Sequence, residues 1–252
     1  MNQRPDFWNL VATKVHVYRQ NIVSLEDRNI HLKDGTAIAS DVLVCATGWR
    51  PSVLSFFDAS LAGRLGLPSL SGDLDPKELA KWKDLETAAD RQILQQFPRL
   101  SDPPDHNQSV VKRSPFRLYK AIASLKCNSV VFLGHIAVGN NFRAAECQAL
   151  WAVAYLDGKL TLPSQEDMEK EVALTVAWCK RRYLSKGVFG HWFYYDLIPY
   201  TDRLLEQISL SSHRKGWFRD FLAPCVAGDL CDLHQEYLSL FRQNEVAQGN
   251  KR

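Results

Sequence analysis

The sequence predicts an α/β fold: a sheet carried by short apolar strands and closed on one side by a carboxyl-terminal helical layer. Three observations predict it. Short apolar runs broken by turns fill residues 14–47, a second apolar run at Asn128–Gly134 is followed directly by a helical pattern, and two long stretches repeat their apolar residues at helical spacing.

From Lys14 to Thr47 the chain reads VHVY, IVSLED, NIHLKDG and DVLVCATG, a small meander whose Asp34-Gly35 pair marks a hairpin turn. Val42, Leu43, Val44 and Cys45 form an unbroken apolar run, as expected of a strand covered on both faces. Pro76 opens a helix expected to reach about Phe97, with Leu79, Trp82, Ala89, Ile93 and Phe97 along it. The proline-rich segment Pro98–Ser109 is expected as a surface loop or lid.

Asn128–Gly134 (NSVVFLG) reads as a second buried strand, leading through HIAVGNN into a helix from about Phe142 to Leu156. Ser164 then caps another helix, with Asp167 three residues on and Met168, Val172, Val176, Cys179 and Tyr183 on one face. Aromatic-rich loops alternating with short helices complete the chain.

Composition narrows the function classes. The 252 residues are 46% hydrophobic and 23% charged, enough for a sizeable core, and the net charge of +3 is spread along the chain rather than gathered in a basic block. No nucleic-acid or anionic-membrane partner is implied. Six cysteines form no CxxC pair and no zinc spacing, so they read as reduced, mostly buried thiols. No apolar run reaches the ~18 residues of a membrane span, and the start has no leader pattern. A cytoplasmic, unanchored protein is expected.

Two strings carry a resemblance. Asp41–Trp49 (DVLVCATGW), behind the hairpin NIHLKDGTAIASD, resembles the D-x-x-x-[LF]-A-T-G-Y signature of N-hydroxylating flavin monooxygenases and the shorter ATG motif of flavin-containing and Baeyer-Villiger enzymes, all of class B. Ser129–Met168 resembles the last strand and helix of their FAD-binding domain, with Glu146, Gln148, Trp151 and Ala152 in an E-x-Q-x-x-W-A pattern. Cys45 and Trp49 depart from the signature's Leu or Phe and Tyr. The resemblance implies the carboxyl-terminal half of such an enzyme and a truncated FAD/NAD(P)-binding-type sheet. On that reading residues 1–57 end an NADP-domain-like meander at the ATG crossover, 58–127 are a helix and proline-rich insertion, 128–184 are FAD-domain-like, and 185–252 form an aromatic helical tail.

What is missing matters as much. These enzymes lay each dinucleotide pyrophosphate on a G-x-G-x-x-G turn, whose amides and helix dipole hold the anion. This sequence contains no such turn; Gly63-Arg64-Leu65-Gly66 and Gly134–Gly139 lack the spacing. No cofactor is therefore expected to bind autonomously, and FAD and NADP would be held only if a partner supplied the amino-terminal half.

Three functions follow as expectations. The first is a partner-completed monooxygenase acting on an apolar, secondary-metabolite-type substrate, in which Thr47, Gly48, Trp49, Asn140, Asn141 and Phe142 border the cofactor. The second is a cofactor-free cyclase or isomerase that reuses the vacated apolar cavity, with His135 or His191 as catalytic donors and Trp192, Tyr194 and Tyr195 as pocket wall. The third is a non-catalytic interaction protein. A sheet left open by the missing half also implies a homodimer or an amino-terminal-half partner.

Overall fold

Helices dominate the computed structural model, which describes residues 6–45, 56–105, 112–223 and 226–240. The chain separates into two compact units, Met1–Arg50 and Pro51–Arg252.

In the first unit, helix α1 (Phe7–Lys14) precedes three antiparallel strands in the order β1 (Ile22–Glu26), β2 (Asn29–Leu32) and β3 (Ala37–Ala39). The Asp34-Gly35 turn forms between β2 and β3 as its sequence predicts. Gly35 takes φ +88°, and the Asp34 carboxylate accepts the Thr36 amide at 3.0 Å. The rest of this stretch departs from expectation. VHVY is irregular, and Asp41–Cys45 is neither strand nor buried: Val44 is 81% exposed and Val42 75%. An apolar run becomes a covered strand only where neighbours supply ladder partners and two packed faces, and this unit's three short strands supply neither.

The second unit is built from helices. After α2 (Ala59–Leu65), α3 (Pro76–Gln96) starts at Asp75, whose side chain caps the Lys77 amide, and buries Trp82, Ala89 and Ile93. It packs along α5 (Gln165–Tyr183), where Ser164 and Asp167 form the expected cap and Val172, Val176, Cys179 and Tyr183 are buried. Three ion pairs stitch the two helices together: Lys81–Glu169, Lys180–Glu86 and Arg181–Asp90. Helix α4 (Asn141–Leu156) packs on α6 (Leu197–Gln207), and α7 (Trp217–Leu222) and a helical stretch at 233–240 follow.

Among the described residues of this unit, sheet is limited to the two-residue pair β4 (Leu118–Tyr119) and β5 (Ala123–Ser124). The expected buried strand at Asn128–Gly134 is an irregular segment joined to β5 by one bridge, Ala123 to Val131. Phe132 is buried there and Leu133 exposed. The chain is thus mixed helix and sheet, and among the described residues the sheets are small and antiparallel. Pro98–Ser101 coils into a 3-10 turn and 102–105 is exposed, while residues 106–111 of the expected loop lie outside the described residues. No described helix is long and apolar enough to cross a membrane. The thiols are less buried than predicted: Cys147 and Cys179 are buried, but Cys45 and Cys231 are exposed.

Candidate functional site

The turn before α4 is held by the helix that follows it. Asn140 caps α4 by accepting the Arg143 amide at 3.2 Å, and the Gly134 amide, at φ +71°, donates to Gln148 Oε1 at 3.0 Å. Gln148 Nε2 donates to the Tyr200 hydroxyl at 2.7 Å, and that hydroxyl donates to the Lys120 carbonyl at 2.9 Å. Gln148 and Tyr200 are buried, so the chain of bonds is shielded from water and burial holds the Tyr200 pKa well above its ordinary value. The E-x-Q-x-x-W-A string is thereby explained by architecture. Gln148 orients the Gly134–Gly139 segment, Trp151 fills the core and donates to Gln207 at 2.7 Å, and Glu146 faces solvent.

That segment runs beside the aromatic stretch 191–195. The Ala137 amide donates to the His191 carbonyl at 2.8 Å and the Phe193 amide to the Ala137 carbonyl at 2.9 Å, a one-step parallel bridge between Ala137 and Trp192. Extended backbone alternates its faces. Phe193 enters the core against Tyr200, with ring centroids 4.9 Å apart. Trp192 and Tyr194 stack on each other at 6.5 Å, and the Tyr194 ring lies 3.8 Å from where a Cβ on Gly139 would sit. Close by in sequence, Phe142 is 90% exposed and Tyr195 72%.

His135 and His191, far apart in sequence, meet around one ring: Phe116 lies 4.6 Å from the first imidazole and 5.6 Å from the second. Neither His135 nitrogen nor His191 Nδ1 makes a well-formed hydrogen bond, although all three atoms are buried. Burial pushes the His135 pKa down to about 4, helped by neighbouring His191 and weakly opposed by the Phe132 carbonyl; burial lowers His191 too. Both rings are therefore neutral at pH 7 and can donate from one nitrogen and accept at the other. Buried polar atoms without partners cost roughly 1–3 kcal/mol each, which marks this cluster as a place where a ligand group or water would be stabilised.

The described residues contain no group of three or more His, Cys, Asp or Glu that could hold a metal ion. For a dinucleotide they offer part of what is needed. The start of α4 leaves the amides of Asn141 and Phe142 without intrahelical acceptors on exposed residues, but no glycine-rich pyrophosphate turn is present in the sequence. The described residues by themselves do not fit a whole FAD. Thr47, Gly48 and Trp49 lie outside the described residues. Cavities of 430 and 250 Å3 are found among the described residues of the second unit; Phe193 and Tyr200 line the larger of these, while Trp192, Tyr194 and Tyr195 line neither. Residues that the sequence did not single out, Lys120, Glu171 and Trp178, line the larger cavity.

No family model matches the chain. It is similar to fungal proteins named FAD-dependent monooxygenase. One from Pyrenophora dematioidea is 36% identical over 220 residues, covering 84% of this chain and 40% of that protein. FAD-dependent monooxygenase DEP4 of Fusarium langsethiae is 33% identical over 251 residues, 94% of this chain and 42% of the relative, and resA of Aspergillus sclerotiorum is 32% identical over 240, 92% and 40%. The chain spans about two fifths of the length of these curated relatives. Their names give no support to the cofactor-free cyclase expectation.

Proposed function

We propose that this chain forms the flavin-bordering, carboxyl-terminal part of an FAD-dependent monooxygenase whose pyrophosphate grips come from sequence it does not contain. The observation that carries this reading is the 36% identity to the Pyrenophora dematioidea monooxygenase over 84% of the chain, together with the 40% share of that relative which the match spans. If complete, the reaction would consume NADPH, a proton and O2, place one oxygen atom on a nitrogen, sulfur or ketone of an apolar small molecule, and release NADP and water.

Each part of the chain then has a role within reach of its chemistry. Thr47, Gly48 and Trp49 enter this proposal from the sequence resemblance alone. The Asn141 and Phe142 amides at the start of α4, whose position Asn140 fixes, would be free to donate to a cofactor oxygen. The neutral His135–His191 pair presents donors and acceptors without a fixed charge. When bound, FAD would supply the oxygen-activating chemistry; these residues border, orient and desolvate.

The test is flavin retention. The purified chain is mixed with excess FAD, desalted and scanned in the visible, alone and after co-expression with the amino-terminal portion of the Pyrenophora relative. A colourless chain and a yellow complex that oxidises NADPH are the expected results. Flavin retained by the chain alone would overturn the account of its missing turns, and a colourless complex would overturn the proposal.

A further inference from the structure

The larger cavity lies between α3, α5 and α6 and has the walls of a small-molecule site. Its volume is 430 Å3, inside the range usual for ligand pockets. Ile93 and Phe97 come from α3, Leu174 and Trp178 from α5, and Phe193 from the aromatic stretch, so the lining is chiefly apolar. The Phe97 and Trp178 rings form a tilted pair, 5.1 Å apart at 59°, within this lining.

Two cations are in this lining, exposed Arg203 and the buried side chain of Lys120. Lys120 has a side chain only 10% exposed, and its Nζ lies 2.6 Å from Glu171 Oε1 and 5.2 Å from the Tyr119 ring centroid. Burying a lysine is costly, and the Glu171 carboxylate offsets that cost in part. An ammonium group carries three donors, and Glu171 is the one side-chain carboxylate paired with it among the described residues.

The backbone at Lys120 is also held in an unusual shape. Lys120 and Ala121 both take positive φ, 53° each, which side-chain-bearing residues rarely adopt in succession. The strain is fixed by the Tyr200 hydroxyl donating to the Lys120 carbonyl, and Tyr200 is itself held by buried Gln148. The other acid in the cavity is already engaged: Asp196 accepts from Trp178 Nε1 at 2.9 Å and from the Tyr183 hydroxyl at 2.6 Å, and it pairs with Arg182. Lys120 is thus a pre-positioned, largely buried cation in the lining of the cavity.

We propose that this cavity binds an apolar molecule bearing one anionic oxygen group, a carboxylate in the simplest case, with Lys120 as its anchor and Phe97, Leu174 and Trp178 among its apolar walls. Glu171 competes with the ligand for the ammonium. The site is separate from the His135–His191 cluster and does not rest on the monooxygenase reading.

The full chain is titrated by calorimetry with naphthoate, and with naphthamide as the uncharged twin. Naphthoate is expected to bind saturably at one site, about tenfold more weakly after Lys120→Met, which keeps the stem and removes the charge, and more tightly after Glu171→Gln. Naphthamide should be indifferent to both changes. Leu174→Trp, which fills the slot while leaving Lys120 in place, should abolish binding of both probes, with circular dichroism confirming the fold of each variant. Absence of saturable binding, equal naphthoate affinity in wild type and Lys120→Met, or undiminished binding in a folded Leu174→Trp protein would each overturn the proposal.

Discussion

The two units use similar apolar residues to opposite ends. In Met1–Arg50 the described strands and their flanks expose Val15, Val17, Ile22, Val23, Leu25, Val42, Leu43 and Val44, and the buried hydrophobic residue among those described is Leu32. In Pro51–Arg252 a continuous core runs through α3, α4, α5 and α6, with Trp151, Cys147, Leu204 and Leu205 fully enclosed. Burial follows from having something to pack against, not from apolar content. A three-stranded antiparallel patch of short strands is marginal by itself, whereas crossed helices with small residues at their contacts close over one another.

Removing the ring at the centre of the second unit should break that contrast most severely. Trp151 is 0% exposed, stacks on Tyr155 at 5.2 Å and donates to Gln207. Trp151→Ala leaves a cavity the crossing helices cannot fill and strips the Gln207 acceptor of its partner. A loss of about 3–5 kcal/mol is expected in urea unfolding followed by the circular dichroism of the helices. A loss under about 1 kcal/mol would show that the core is looser than its burial states.

Next comes a backbone contact. A Cβ on Gly187 would sit 1.8 Å from the Cys179 carbonyl oxygen, because the chain reverses at Leu184 and runs back against the end of α5. Gly187→Ala must shift backbone against backbone and should cost about 3 kcal/mol, read as a lower thermal midpoint. Gly35 has nothing within 4 Å of its Cβ direction, so the cost of Gly35→Ala in the first unit comes from its positive φ alone and should be about 1 kcal/mol.

The histidine cluster gives the second unit a pH dependence. Folding lowers the His135 pKa from 6.5 to about 4, so the unfolded chain takes up the proton first. The stability that the neutral ring contributes is complete above pH 6.5 and is lost as pH falls toward 4, by at most about 3 kcal/mol. Thermal midpoints of the wild type should therefore drop faster across that window than those of His135→Phe. Parallel curves for the two proteins would show that the imidazole is already charged, or water-paired, in the folded state.

How far the sequence could be read follows the same divide. Helices α3, α4 and α5 are legible from signals local to each helix: apolar residues at helical spacing after Pro76, a helical run after the Asn128–Gly134 stretch, and the Ser164 cap. The strands at Val42–Cys45 and Asn128–Gly134 were misread because a continuous apolar run has no period, and its state depends on partners elsewhere. His135 and His191 were picked out singly, but their meeting at Phe116 is a tertiary event with no local trace. Lys120 was invisible for another reason: neither it nor Ala121 is a residue whose type announces positive φ.

The smallest effect sharpens the contrast from the weaker side. Leu32, 6% exposed, ends β2, and its amide donates to the Thr36 carbonyl at 2.9 Å across the Asp34-Gly35 turn. Leucine truncation usually costs about 2–5 kcal/mol where a rigid core cannot close over the gap. Here the surroundings are short strands whose other described side chains are half or fully exposed, so the gap can collapse or take in water. Leu32→Ala should thus cost about 2 kcal/mol or less, and the loss should appear as faster amide exchange in β1, β2 and β3. A cost near that of Trp151→Ala would mean that Leu32 belongs to a tightly packed core and that the first unit is as well supported as the second.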